Sequence, residues 1–235
     1  MKNIAIIPAR SGSKGLKDKN IIDLCGKPLM WYTIQAALES NLFDTVMVST
    51  DSGHYAAIAK HCGAEVPFLR SDDLARDTSG SWDVVREVLS DYAEAGRTFD
   101  YAALLQPTSP LRDAHDIRNA FEYLQGGMAH SVVSVTEVEH PVQWCFRMEP
   151  NNQILDLANS PYNNCRRQDL ETHYRENGAI YTVRAKMIQE PDYDFYADKC
   201  FGYVMPRERS VDIDTLDDIR YAEFLMREPQ RHSRS

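Results

Sequence analysis

The sequence predicts an α/β fold, doubly wound around a mostly parallel sheet. Two observations carry this. Short runs that are apolar almost throughout, at 2–8, 45–50, 101–106 and 131–136, read as strands buried on both faces. Between them lie stretches with helical spacing, at 29–39, 55–61, 81–95 and 115–124, and a chain that alternates strand with helix covers both faces of a parallel sheet. A length of 235 residues with 43% hydrophobic content suits one such core carrying an elaboration.

In sheets of this kind ligands sit beyond the carboxyl ends of the strands, so the loops beginning at Pro8, Ser49 and Gln106 border the expected site. From about 137 to 176 the alternation fails. Pro141, Pro150 and Pro161 punctuate polar sequence, and Asn151-Asn152 and Asn163-Asn164 mark turns, which reads as an excursion from the core. A strand resumes at 178–183, and 215–226 closes the chain as a helix with Ile219 and Ala222 inward. The polar segment after it ends as a loose tail.

Charge and cysteine usage narrow the class. Lys+Arg 26 against Asp+Glu 35 leaves a formal net charge of -9, a surface that repels phosphate polymers and anionic membranes, so neither nucleic acid nor a membrane is expected as partner. The apolar run at 4–8 is too short for a signal-peptide core or a membrane span. Cys25, Cys62, Cys145, Cys165 and Cys200 are scattered without zinc or redox spacing, which fits reduced thiols in a cytoplasm.

The first loop reads Ala9-Arg10-Ser11-Gly12-Ser13-Lys14-Gly15-Leu16-Lys17-Asp18-Lys19-Asn20. Its glycines let backbone N–H groups turn toward an anion, and four cationic side chains accompany them, which makes a polyphosphate cradle. It has the spacing of neither a P-loop nor a dinucleotide fingerprint, and a solvated basic loop has the same composition. Its place after the first strand favours the cradle.

This loop, with Gly26-Lys27-Pro28-Leu29, Val48-Ser49-Thr50-Asp51, Leu105-Gln106-Pro107-Thr108-Ser109-Pro110-Leu111-Arg112, Asn177-Gly178-Ala179-Ile180-Tyr181 and Asp212-Ile213-Asp214-Thr215, resembles the acylneuraminate cytidylyltransferases along nearly the whole chain. The resemblance implies a Rossmann-like nucleotidyltransferase core at 1–137 and 178–228. It further implies an inserted dimerisation arm at 138–177, leaving a tail at 229–235. It implies CTP and a nine-carbon 2-keto acid sugar as substrates, Mg²⁺ as cofactor, and a homodimer. Ala9, Arg10, Ser11, Gly12, Lys14, Asn20, Arg70 and Ser81 are then the nucleotide residues, with Arg10 and Lys14 on the triphosphate. Gln106, Thr108, Ser109, Arg175 and Asn177 are the sugar residues, with Arg175 near its own or the other subunit's site.

Several of these positions also have plain structural readings. In an extended segment Asp212 and Asp214 point to the same side, with Ile213 opposite, and two carboxylates suit Mg²⁺. Asp214 equally could cap the following helix. Arg70, after a short strand expected just before it, would ordinarily be a surface arginine, and Ser81 a helix cap. Gln106-Pro107-Thr108-Ser109-Pro110 could be an ordinary turn, or a rigid edge offering hydrogen bonds to a polyhydroxylated ligand. That edge lacks the aspartate that ketodeoxyoctulosonate cytidylyltransferases carry shortly after this strand. Ser13-Lys14-Gly15-Leu16 also departs from the Ser-Lys-Arg-Ile pattern associated with pseudaminate enzymes. N-acetylneuraminate or legionaminate is therefore the expected acceptor.

Overall fold

The computed structural model describes residues 1–12, 15–71, 74, 80–155, 160–190, 192–197 and 199–228. Lys14 and the 229–235 tail lie outside these residues. The first half contains β1 (Asn3–Pro8), β2 (Asp23–Leu24), β3 (Lys27–Pro28), α1 (Leu29–Ser40), β4 (Thr45–Ser49), α2 (Gly53–His61) and α3 (Ser81–Glu94). The second contains β5 (Tyr101–Leu104), α4 (Ala114–Gln125), β6 (Ser131–Glu137), β7 (Tyr174–Arg184), α5 (Ala185–Ile188), β8 (Cys200–Val204) and α6 (Leu216–Arg227).

Six strands form one sheet in the order β4-β1-β5-β7-β6-β8. β1 pairs in parallel with β4 and β5, β6 pairs in parallel with β8, and β7 runs antiparallel to both its neighbours. The sheet is therefore mostly parallel. Successive residues of β1 face opposite layers, as strand geometry requires. Ile4 and Ile6 pack with Val85, Val88 and Leu89 of α3, whereas Ala5 and Ile7 pack with Ile34 of α1, Ala59 of α2 and Phe121 of α4. This division of one strand between two cores is what double winding means in side-chain terms. A third cluster, in which Leu24 and Leu29 meet Val211, Ile213, Ile219 and Ala222, seats α6 beside the β2–β3 hairpin.

Three features differ from the sequence reading. β8 goes unrecognised because it is an edge strand with Gly202 at its centre and with Phe201 and Val204 exposed, so it lacks the signature of a buried run. The strand expected before Arg70 is reduced to one bridge, Met47 with Glu65, and Pro67 has no N–H with which to extend the ladder. β7 starts at Tyr174, opposite Glu137, so residues 174–177 belong to the sheet although the sequence places them in the arm. The excursion between β6 and β7 carries two 3-10 turns, Val142–Trp144 and Arg167–Asp169. Among the described residues no helix is long and apolar enough to cross a membrane.

Candidate active site

The loop after β1 is tied down from several sides at the carboxyl edge of the sheet. The Ala9 amide donates to the Ser49 carbonyl at 2.9 Å, continuing the β1–β4 ladder by one residue. Ser11 donates twice to Asp51, from its amide at 2.8 Å and from its hydroxyl at 2.7 Å. Burial pushes the Asp51 carboxyl up, but the Ser11 hydroxyl and amide, its own amide and the nearby Arg70 guanidinium outweigh burial and hold it below the usual carboxylate range. The buried Asn20 amide donates to the Arg10 carbonyl at 3.0 Å, closing the loop on itself. Asp18 sits in the left-handed region at φ 54°, where its carboxylate accepts from the Tyr55 hydroxyl at 3.0 Å. A backbone held at this many points presents a fixed set of N–H groups, as anion recognition requires.

Arg70 is not a surface arginine. Its side chain is buried, and Nε and Nη2 donate to the hydroxyl and carbonyl of Ser49 at 3.0 and 2.8 Å. Desolvation holds its guanidinium below the ordinary value; Asp51 and Glu87 pull it back, and the neighbouring charge of Arg10 lowers it further. Arg10, Asp51 and Arg70 thus share one electrostatic neighbourhood. Ser81 is the exposed first residue of α3, and Gly80 takes the cap position.

A cavity of about 230 Å³ opens beside this loop, lined among others by Lys19, Asn20, Gln106, Thr108, Asp212 and Asp214. Both carboxylates line it, with Ile213 fully buried between them and its amide donating to the Thr108 carbonyl at 2.8 Å. Asp214 does not cap α6. Thr215 does, accepting from the Asp218 amide while Asp218 accepts from Thr215 in return. The Asp214 carboxylate instead accepts from the Lys19 ammonium at 2.8 Å. Desolvation lifts the Asp212 carboxyl above its usual range, the Thr108 hydroxyl opposes the shift, the Asp214 charge adds to it, and Lys19 opposes it.

The expected sugar residues do not all converge. Gln106 and Thr108 line the cavity. Asn177 faces inward at 2% exposure; its oxygen accepts from Ser134 and from the Ala179 amide, and its nitrogen donates to Ser210 and Met205. The expectation that it faces a sugar is corrected on that ground: its amide is used up in joining β6, β7 and the 205–210 segment. Ser109 is also fully enclosed, but unlike the Asn177 amide its hydroxyl has no hydrogen-bond partner. Arg175 is exposed on β7, where it pairs with Thr136, and donates to the Glu176 carbonyl. Gly178 lies within β7, where the pairing with β6 is irregular: its φ is +76°, and a Cβ there would stand 2.8 Å from the Gln106 side-chain oxygen.

A family model described as cytidylyltransferase matches residues 4–219. The chain belongs to the cytidylyltransferase family. It is 36% identical to a pseudaminic acid cytidylyltransferase of Campylobacter jejuni over 96% of each chain. It is 39% identical to a CMP-N,N'-diacetyllegionaminic acid synthase of Legionella pneumophila, over 96% of this chain and 97% of that one. It is 40% identical to an N-acylneuraminate cytidylyltransferase of Streptococcus agalactiae, over 93% of this chain and 52% of that longer protein. In fold it is similar to CMP:2-keto-3-deoxy-manno-octonic acid synthetase solved in complex with CTP, with a TM-score of 0.70 at 18% identity over 96% of this chain and 98% of that one. The relatives' names span three sugar acids at similar identity, so overall similarity does not rank the acceptors.

The cytidylyltransferase's cavity and loop also involve residues that the sequence did not single out. Lys19 entered only as one of the loop's four cationic side chains and Asp51 only within a motif, although a lysine beside Asn20 and a carboxylate one step past a buried strand were legible signals. Arg112 is fully buried; its Nη2 donates to Thr33 at 2.6 Å, and Thr33 donates to the Gln106 carbonyl, which steadies the cavity wall from behind. Desolvation lowers its guanidinium to about 10, with Asp116 and Asp113 pulling the other way.

Proposed function

We propose that this cytidylyltransferase transfers CMP from CTP to the anomeric hydroxyl of a nine-carbon 2-keto acid sugar, N-acetylneuraminate or a relative, releasing pyrophosphate. The observation that carries the reading is the meeting, at one cavity, of the tied basic loop with Gln106, Thr108 and the two aspartates. The anomeric oxygen attacks the α-phosphorus, the bond from that phosphorus to the bridging oxygen breaks so that pyrophosphate leaves with that oxygen, and the hydroxyl proton passes to solvent water. Such transfer depends mainly on positioning and on neutralising charge.

Arg10 and Lys14 are assigned to the triphosphate and the leaving pyrophosphate, with Gly12 offering its backbone and with Ala9 and Ser11, whose amides are engaged by Ser49 and Asp51, holding the loop beside the nucleotide. Asn20, Arg70 and Ser81 are assigned to the nucleotide, the first two holding the loop and strand ends that surround it. Gln106 and Thr108 are assigned to the sugar directly and Arg175 to its approach, while Ser109 and Asn177 position the wall. The donor set at 212–214 fits Mg²⁺: two carboxylates on one cavity, whose mutual repulsion a cation relieves, suit a hard ion that completes its shell with substrate phosphates and water. Bound there, the ion would neutralise phosphate charge and lower the pKa of a coordinated hydroxyl. The scattered free cysteines, without zinc or redox spacing, support a cytoplasmic setting.

Pyrophosphate release with each of CTP, ATP, GTP and UTP against a panel of keto acid sugars tests the assignment. CTP should far exceed the others, and equal rates with all four would refute it. N-acetylneuraminate or legionaminate should exceed the eight-carbon ketodeoxyoctulosonate by about tenfold in kcat/KM, or ~1.4 kcal/mol of transition-state binding. The pseudaminate belongs in the same panel, given the relatives.

We further propose a homodimer built through the excursion after β6. Its support is apolar surface on that segment: Trp144, Phe146, Met148 and Ile154 are all exposed. Light scattering should return about twice the 26.8 kDa chain mass at micromolar concentration. A single-chain mass would end the proposal.

A further inference from the structure

The Lys19–Asp214 contact joins residues 195 positions apart and places a protein cation on a carboxylate assigned to a metal. We propose that Lys19 is the resident counter-ion of Asp214, so that a divalent cation binds the aspartate pair weakly until Lys19 is drawn off by the phosphates of the incoming nucleotide. The inference rests on the reading of Asp212 and Asp214 as metal ligands and adds an order of events to it.

The geometry makes Lys19 a fixed competitor rather than a passing surface charge. Its side chain is 17% exposed, against 69% for Asp214. Its backbone stands between Asp18, held by the Tyr55 hydroxyl, and Asn20, held to the Arg10 carbonyl, and its own amide donates to Leu16 at 3.2 Å. The loop also lies close against the aspartate segment, since a Cβ on Gly15 would be 3.5 Å from the Asp214 carbonyl. The stem is therefore held, and the ammonium stays within the same cavity as Asp212, Asp214 and Gln106. Asp214 for its part is relieved of helix capping by Thr215, which leaves its carboxylate to the ammonium.

Two consequences follow from elementary electrostatics. A divalent cation approaching the empty site meets a positive charge already bonded to one of its ligand oxygens, so its affinity is lowered by the cost of breaking that bond and by direct repulsion. A polyphosphate in the same cavity offers the ammonium other oxygens, and Asp214 is then released. Cation and nucleotide thus bind with positive coupling, each improving the site for the other.

The test uses the full chain without nucleotide and Mn²⁺ as probe, with free Mn²⁺ read by electron paramagnetic resonance. Lys19→Met should bind Mn²⁺ about tenfold more tightly than wild type, or ~1.4 kcal/mol. Lys19→Arg, which keeps the charge, should stay near wild type. Asp214→Asn in the Lys19→Met background should abolish the gain. A Lys19→Met protein that binds no more tightly than wild type overturns the proposal, as does a gain that survives Asp214→Asn; Lys19→Gln serves should the methionine variant not fold. The underlying metal reading fails separately: with CTP present, and with the Mn²⁺ held by CTP itself subtracted from a protein-free titration, Asp212→Asn would leave enzyme-bound Mn²⁺ unchanged.

Discussion

Asp212→Asn should lower kcat/KM with CTP and Mg²⁺ by about 10²–10³, the scale on which removing one group that stabilises transition-state charge acts. The substitution keeps size and keeps an oxygen for the Thr108 hydroxyl while removing one of the two carboxylates at the cavity. Stability should not fall with activity. Desolvation and the Asp214 charge make ionised Asp212 costly in the folded protein, so a neutral side chain removes an unfavourable interaction there. Steady-state rates at limiting Mg²⁺, beside thermal melts of both proteins, make the comparison. Wild-type rates in the variant would assign the aspartate pair to structure alone.

The largest loss of stability should come from Asp116→Asn, at a position that was not an expected site residue. Asp116 is fully buried on α4 and accepts from both Nε and Nη2 of Arg209, at 3.0 and 2.8 Å, and from the Tyr203 hydroxyl at 3.0 Å. Its hydrogen bonds and charge hold the Arg209 guanidinium above the ordinary value even against desolvation. Removing the carboxylate leaves Arg209 and the enclosed Arg112 with only the more distant Asp113 as counter-charge, which costs about 3 kcal/mol, the lower end for a broken buried pair because Arg209 is partly exposed. Urea unfolding should show the midpoint falling accordingly, with Arg209→Gln on the Asp116→Asn background recovering part of the loss. Because Arg209 begins the segment that runs through Ser210 and Val211 to Asp212, the variant should also lose activity at temperatures where it remains folded. A midpoint shifted by less than about 1 kcal/mol would mean that the pair contributes no more than a surface ion pair.

Much of the architecture was legible because its strands bury both faces. β1, β4 and β5 read as unbroken apolar runs for that reason, and the loops at their carboxyl ends could be named as the site before any contact was known. The spacing of Asp212 and Asp214 around Ile213 was equally readable, since side chains alternate in extended backbone. The order of elements, the composition of the phosphate loop, the carboxylate pair and, through its motifs, the family can all be read along the chain. How these parts are partnered cannot be, because it is set by contacts between distant segments. Whether Asp214 caps α6 or faces the cavity depends on Thr215 taking the cap; whether Asn177 meets a ligand depends on Ser134 and Ser210 closing around it. Ser11 with Asp51, Arg209 with Asp116 and Lys19 with Asp214 join segments 40, 93 and 195 residues apart. Local propensity and periodicity reach only a few residues along the chain, whereas these pairs are set by which strand ends and loops the sheet topology brings together.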